Sequence, residues 1–439
     1  MSNWELPKAV NLQLKYWEFN NLCDHAFQKE ASYIIRKDGF YYVAINGSTG
    51  QIDYGGSTNE GSINGTNATD VINAAAANLT AGRTWLEKII IIGDITLTDT
   101  LIISSNTIVQ LEGSLKLANN INKGLLRNEH WGPTTLDSDI WILNGIWDGQ
   151  KAIQTIEAND GCISLRGVSN CIIVNTKVKD FWGFGGIYVA GDNSQILHNT
   201  VSGCKKTSGS YGAGIYITGL DDDENTIFDN RCLSNEGTGI FIEDYSANNK
   251  VLYNIVKYNL RDGIWVNLGT GNQVTHNTVV GASGLGGAGD YGIEIDSDNN
   301  EIHNNVISDT TYNAWIVHSP RTGNRITGNR GLTVSCVTGN FTRNNTGWID
   351  ESSGFSELFF IDTTGVKTIG YGHNFSFTPL ASDVSLSVVE VTNVDDWAYD
   401  LLKIESVDAS NVVIKINVST ASATGGATAK IAVKVNGQK

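Results

Sequence analysis

One short phrase recurs along the middle of this chain, and it limits the possible folds more than any other feature. The stretch GIWVNLGTGNQVTHNTVVGA (263–282) alternates apolar and polar residues, bends through glycines, meets an asparagine and alternates again. Related phrases are GIYVAGDNSQILHNTVSG (186–203), GIYI (214–217) with NTIFDNRCL (225–233), GIFIEDYSANNKVLYNIVK (239–257), GIEIDSDNNEIHNNVIS (292–308) and AWIVHSPRTGNRITGN (314–329). Their leading glycines, Gly186, Gly214, Gly239, Gly263 and Gly292, lie 28, 25, 24 and 29 residues apart, and Ala314 follows 22 residues later. A period in the twenties, built of short alternating strands without a 3.6-residue pattern, predicts the coils of a parallel β-helix. One coil cannot bury its apolar face, but stacked coils about 4.8 Å apart share a continuous core.

An asparagine follows an apolar residue by three in each coil: Asn199, Asn230, Asn254, Asn277, Asn305 and Asn329 after Ile196, Ile227, Val251, Val274, Ile302 and Ile326. Asn tolerates left-handed backbone and bonds its own turn, so these six are expected to form a structural ladder at a bend.

Composition narrows the partners. With 439 residues, 48 Gly and 4 Pro, the chain is long enough for a large core and too poor in helical pattern for an α/β enzyme. A formal charge of −16 with no basic cluster disfavours a nucleic-acid partner, and weighs against an acidic polysaccharide unless a cation or a local basic groove compensates. No run of 18 apolar residues predicts a membrane span. MSNWELPKAV has no apolar h-region, so a secretory signal peptide is not expected there, and the chain is either a mature form or leaves its cell by another route. The six cysteines, Cys23, Cys162, Cys171, Cys204, Cys232 and Cys336, show no metal-binding spacing and read as inward-facing thiols. Cys204 and Cys232 fall on adjacent coils but three positions out of step, which disfavours a disulfide.

Along the chain, residues 1–60 read as an N-terminal arm and a hairpin. The arm carries Trp4, Trp17, Phe19 and Phe27, and the hairpin turns at Asp38-Gly39. ATDVINAAAANLT (68–80) predicts a helix, N-capped by Thr69 or Asp70, that covers the open end of the solenoid. The β-helix is assigned to 61–335, closing turns or a linker to 336–370, and a small antiparallel β-sandwich to 371–439. The fold class is therefore all-β.

The succession ATDVINAAAANL, IIIIGDITLTDTLIISSNTIVQLEG and coils of GIYI and N-x-[VI]-x-x-N type resembles the pectate-lyase-like right-handed parallel β-helix superfamily over roughly 60–335. That resemblance implies a polysaccharide lyase, a polygalacturonase-type hydrolase, a C5-epimerase-like protein or a phage tailspike. The tail, FSFTPLASDVSLSVVEVTNVDDWAYDLLKIESV, is similar to small sandwich domains of phage tail fibres and of some carbohydrate-binding modules. The hydrolase branch's set of Asn-Thr-Asp, Asp-Asp, Gly-His-Gly and Arg-Ile-Lys signatures does not occur here as a set, and the epimerase motif Asp-Pro-His-Glu is absent, so no reaction is carried over by motif.

Alternation places Tyr188, Tyr216, Phe241, Trp265, Glu294 and Ile316 on one outward, solvent-facing strip. Its aromatics suit either stacking on sugar rings or a protein contact such as a trimer interface. Two residues further along the same strands stand Glu243, Asn267, Asp296 and His318, with Asp244, Asp262, Asp298 and Arg321 nearby. Stacked carboxylates raise one another's pKa or bind Ca²⁺, for which Asp244 and Asp298 are the candidate ligands. Hydrolysis would pair Glu294 with Glu243 or Asp262, whereas elimination would need Ca²⁺ or arginine on a uronate and a base, from His318, Arg321 or Arg261. DFWGFGG (180–186) and the acidic loop LDDDEN (220–225) are expected to project, the latter with Asp221, Asp222, Asp223 and Glu224 as a weaker Ca²⁺ candidate lacking EF-hand spacing. The reading is a polysaccharide-cleaving protein, extracellular or virion-associated. Its rival is a non-catalytic spike or adhesion protein running as a homotrimer.

Overall fold

A computed structural model describes residues 31–134, 136–206, 212–218, 224–282, 291–308, 315–317, 321–331, 334–336, 341–343, 354–360, 365–372, 384–407 and 411–435. Residues 1–30, Asp221, Asp222, Asp223, Ala314 and His318 lie outside this set.

Alternating Val and Ile build two long sheets of 21 and 11 strands, and their repeating coils make a right-handed β-helix. The coil containing Gly239 shows the plan. Ile240–Ile242 lies in the smaller sheet, and a turn leads to Lys250–Leu252 in the larger. A sharp corner at Tyr253 and Asn254 then leads to Ile255–Lys257, and a loop returns the chain to Ile264–Asn267 in the next coil. Inward side chains stack in register: Ile187, Ile215, Ile240, Ile264 and Ile293 form one column, and Ile196, Ile227, Val251, Val274, Ile302 and Ile326 another. Nearly all are sealed from solvent in a single core.

The glycine landmark has a steric cause. A Cβ on Gly239 would lie 2.3 Å from Val256 Cγ1 and 2.6 Å from Gly263 O, and one on Gly263 would lie 2.2 Å from Val279 Cγ1. Gly239 and Gly263 each open their strand against the inward-facing valine of the same coil and the carbonyl of the next landmark glycine, leaving no room for a side chain.

The ladder forms, with a different division of labour. Asn230, Asn254, Asn277 and Asn305 are fully buried, and each donates its backbone N–H to Oδ1 of the next asparagine at 2.8–2.9 Å. The left-handed residue is the one before each: His198, Asp229, Tyr253, His276 and Asn304 have φ between 50° and 58°. A second ladder, Asn225–Asn249–Asn272–Asn300–Asn324, lines the turn after the smaller sheet, and a third runs from Asn235 to Asn259.

At the N-terminal end, Tyr33–Asp38 and Tyr41–Asn46 form the expected hairpin, whose first strand joins the helix by parallel pairing with Glu87–Leu97. Helix α1 (Ala68–Ala77) covers the open end with Val71, Ile72 and Ala75. Its N-cap is Asn67, whose side chain accepts Thr69 N–H at 3.0 Å, correcting the expectation of Thr69 or Asp70. Thr69 is buried, and its hydroxyl instead accepts Thr98 N–H from the first coil. Cys162, Cys171, Cys204 and Cys232 are buried free thiols. Cys232 pairs in register with Val201, while Cys204 N–H donates to Asn235 Oδ1, so the two are offset as the sequence indicated. In the tail, Gly354–Phe360, Gly365–Gly372 and Val384–Val407 pair antiparallel with Asn411–Val435.

Candidate functional site

The strip predicted on the smaller sheet has the expected register: Ser164, Tyr188, Tyr216, Phe241, Trp265, Glu294 and Ile316 pair rung to rung. Its exposure differs from expectation. Tyr188, Tyr216 and Phe241 are 7%, 4% and 1% exposed, and only Trp265 among the four rings is partly open. The cause is ring-on-ring stacking along the helix axis. Tyr216 and Phe241 stack at 5.1 Å and 8°, and Phe241 and Trp265 at 4.4 Å and 9°. Phe184 adds to the lower end, packing against Tyr188 and Tyr216, with Lys206 Nζ 3.5 Å from its ring centre. Faces used in this way are closed to sugar rings, so the strip is a rigid spine and not an open stacking platform. Trp131 continues it downward from a loop: its Nε1 donates to Ser164 Oγ at 3.1 Å, and Arg166 lies over its ring at 5.0 Å. Sequence alternation could not find Trp131, because it stands on no strand.

The polar column beside the spine is where titratable groups gather. Val266 pairs with Ile242 and Asn267 with Asp296, so Glu243, Asn267 and Asp296 occupy equivalent places on three successive rungs. Glu243 is half-buried, and the Tyr216 hydroxyl one rung below donates to its Oε2. Burial pushes its carboxyl pKa up; the Tyr216 bond opposes this, neighbouring Asp244 adds to it, and Lys206 opposes it. Asp244 Oδ2 accepts the Thr218 hydroxyl at 2.9 Å. At the upper end Arg321 Nε donates to Asp296 Oδ1 at 2.8 Å, and Asp298 Oδ1 accepts Thr322 N–H.

Two expected partners stand elsewhere. Asp262 is 3% exposed, and its Oδ1 accepts Tyr291 N–H at 2.7 Å, which makes it a brace between return loops instead of a second catalytic carboxylate. Glu294 is 7% exposed and continues the spine above Trp265. It lies two rungs and two residues from Glu243, about 12 Å by strand geometry, beyond either hydrolytic spacing. Among the described residues, no three His, Cys, Asp or Glu side chains come together as a metal site, and Asp244 and Asp298 are each engaged by a neighbouring rung. In DFWGFGG, Phe181 faces the core instead of projecting, whereas Trp182 lies under Lys205.

A carboxyl that the sequence reading missed sits lower down. Asp160 Oδ2 accepts Gly124 N–H at 3.2 Å, while Oδ1 is buried with no hydrogen-bond partner. Burial raises its pKa to about 6 despite Arg127 and Lys123 nearby. No helix among the described residues is long and apolar enough to cross a membrane.

Residues 153–288 match the family model described as the right handed beta helix region. No curated protein sequence matches the chain significantly. Among solved structures, the ORF18 protein of Geobacillus virus E2 is similar at 12% identity and a TM-score of 0.52, over 85% of this chain and 76% of that one. The Dettilon tailspike protein is similar at 14% identity and a TM-score of 0.40, over 84% and 91%. The A-module of an Azotobacter vinelandii mannuronan C-5 epimerase is similar at 13% identity and 0.45, over 64% and 91%.

Proposed function

We propose a glycan-cleaving role for this right-handed parallel β-helix, with Glu243 as general acid on the polar column beside the aromatic spine. The observation that carries this reading is Glu243 itself: a half-buried carboxyl, raised in pKa by burial and held by the Tyr216 hydroxyl. A carboxyl in that state keeps its proton to higher pH and can deliver it to a leaving-group oxygen.

Asp296 stands two rungs above, about 10 Å along the column by rung spacing, just past the upper end of the roughly 6.5–9.5 Å of inverting hydrolysis. In that reaction Glu243 protonates the glycosidic oxygen as its C–O bond breaks, and Asp296, oriented by Arg321, takes a proton from the water that attacks the sugar carbon. Asn267, on the rung between, holds a sugar hydroxyl in this reading. Ca²⁺ bound near Asp244 or Asp298 belongs to the rival elimination route, in which it would neutralise a uronate.

The test is a panel of neutral and uronate-bearing polysaccharides, with and without Ca²⁺, followed by new reducing ends and by absorbance of unsaturated uronates. Reducing ends alone support hydrolysis; both signals together establish a lyase; silence on both removes the catalytic reading. A second reading is a non-catalytic spike or adhesion protein, virion-associated or extracellular and homotrimeric. The fold likeness to a viral protein over 85% of this chain favours it. It predicts a trimer by light scattering and indifference of function to Glu243→Gln.

A further inference from the structure

Outward side chains of a solenoid sheet ordinarily meet water, and on the first coils of the larger sheet they do not. Ile108, Trp141, Leu143, Ile172, Val174 and Leu197 alternate with core residues along their strands, yet they are between 1% and 8% exposed. They form an apolar cluster separate from the main core. Lys88, on the rung below Ile108 in the same column, is 3% exposed. Among the described residues, the apolar side chains packed against this cluster are Leu86 and Phe228. Phe228 belongs to the face itself, one rung above Leu197, and Leu86 stands at its foot just before Glu87–Leu97, so neither spans it. Higher up the face turns polar: Ile172 is followed in its column by Gln195, Thr226, Lys250 and Gln273, all partly open. The sealed part, from Lys88 to Leu197, is five rungs, about 24 Å of axis.

The chain reaches this face at its foot. Ser32 N–H donates to Lys88 O at 2.8 Å and Tyr33 pairs with Ile89, so residues 1–30 lead to its lowest rung. Their sequence suits the face. In LQLKYWEFNNLCDHAF (12–27), Leu12, Tyr16, Phe19, Cys23 and Ala26 follow one another at spacings of 4, 3, 4 and 3, which predicts an amphipathic helix with one apolar stripe. A helix of that length runs about 24 Å, the height of the sealed face. Residues 28–31 alone separate it from Ser32, and so short a tether keeps it at high effective concentration over its own sheet. We infer that residues 12–27 dock as this helix on the outward apolar face of the larger sheet in the same chain, stripe inward. The arm then belongs to the packing of its own solenoid and is not a handle for joining protomers. This inference is independent of the glycan reading.

The experiment places a photocrosslinker at the margin of the face, Gln195→p-benzoylphenylalanine in the full chain, and maps the crosslinked peptides by mass spectrometry after separation on a denaturing gel. The expected product migrates as a single chain and joins position 195 to a residue within 12–27. A product of double size, which marks a second copy on the face, overturns the inference; so does a crosslink to residues 336–439, or none to the arm. Hydrogen exchange of the unmodified chain gives a second reading that needs no variant. Amides within 12–27 should exchange at least about a hundredfold more slowly than in the isolated peptide, and exchange at the free-peptide rate overturns the proposal. Phe19→Asp puts a charge in the apolar stripe, so it should return 12–27 to within about tenfold of the free rate while the strand Tyr33–Asp38 stays protected. Protection of 12–27 unchanged in Phe19→Asp would show that the stripe does not face the sheet, and the inference would fall.

Discussion

Two columns run up this solenoid, and they behave differently. At the corner of the larger sheet the same residue returns on every rung: each asparagine satisfies the next, and nothing is left over. On the smaller sheet the outward column changes as it climbs, from Ser164 through Tyr188, Tyr216, Phe241 and Trp265 to Glu294. Repetition there stops at Trp265, where a donor is left unfilled and the acids begin. Uniform columns hold the fold, and the place where a column breaks its own pattern is the place to look for chemistry.

The contrast can be broken most forcefully at the ladder. Asn254→Ala removes the acceptor of both Asn230 N–H and Asn230 Nδ2, leaving buried donors unpaired, and should cost about 3–5 kcal/mol in denaturant unfolding. A loss below about 1 kcal/mol would mean that water replaces the side chain and the ladder is not what closes the corner. Phe241→Ala tests whether the lower strip is also scaffold. Removing a ring stacked on both sides should cost about 3–4 kcal/mol and change Trp265 fluorescence, whereas an open sugar platform would lose ligand but little stability.

Asp160 sharpens the comparison from the electrostatic side. Its folded pKa of about 6 lies above the usual carboxyl value, so the folded state binds more protons than the unfolded chain between about pH 4 and pH 6. Stability contributed by the protonated form is therefore lost as pH rises through that window. Asp160→Asn should stabilise by up to about 3 kcal/mol at pH 8 and by nothing at pH 3. Equal effects at both pH values would show that shape, not charge, governs the site. The smallest effect belongs to Cys232→Val, which places the residue of the rung below, Val201, in the same core column and should change stability by less than about 1 kcal/mol.

Much of this was legible in the sequence. The glycine and asparagine periods located the coils, and alternation placed Tyr188, Tyr216, Phe241, Trp265 and Glu294 in one column with the correct register. Exposure was not legible, because ring stacking between rungs depends on side-chain torsions that a strand pattern does not encode. Asp262 read as a catalytic partner because spacing brings it near the column, yet it precedes Gly263 at the mouth of the return loop and braces Tyr291. Asp160 and Trp131 sit in non-repeating loops, where no period marks them. The Tyr216–Glu243 bond joins two residues that were each singled out, but along a diagonal, one rung and two positions apart.

The central claim is that Glu243 acts as an acid. On a glycan that the panel shows to be cleaved, the most direct measurement is the pH dependence of turnover for the unmodified chain and for Glu243→Gln. A general acid must carry its proton, so turnover should hold through the acidic range and fall as pH rises through the raised pKa of Glu243. Glu243→Gln should be slower by about 10²-fold or more, should lose that alkaline limb, and should melt at the same temperature. Wild-type turnover with an unchanged pH profile in Glu243→Gln would contradict the account.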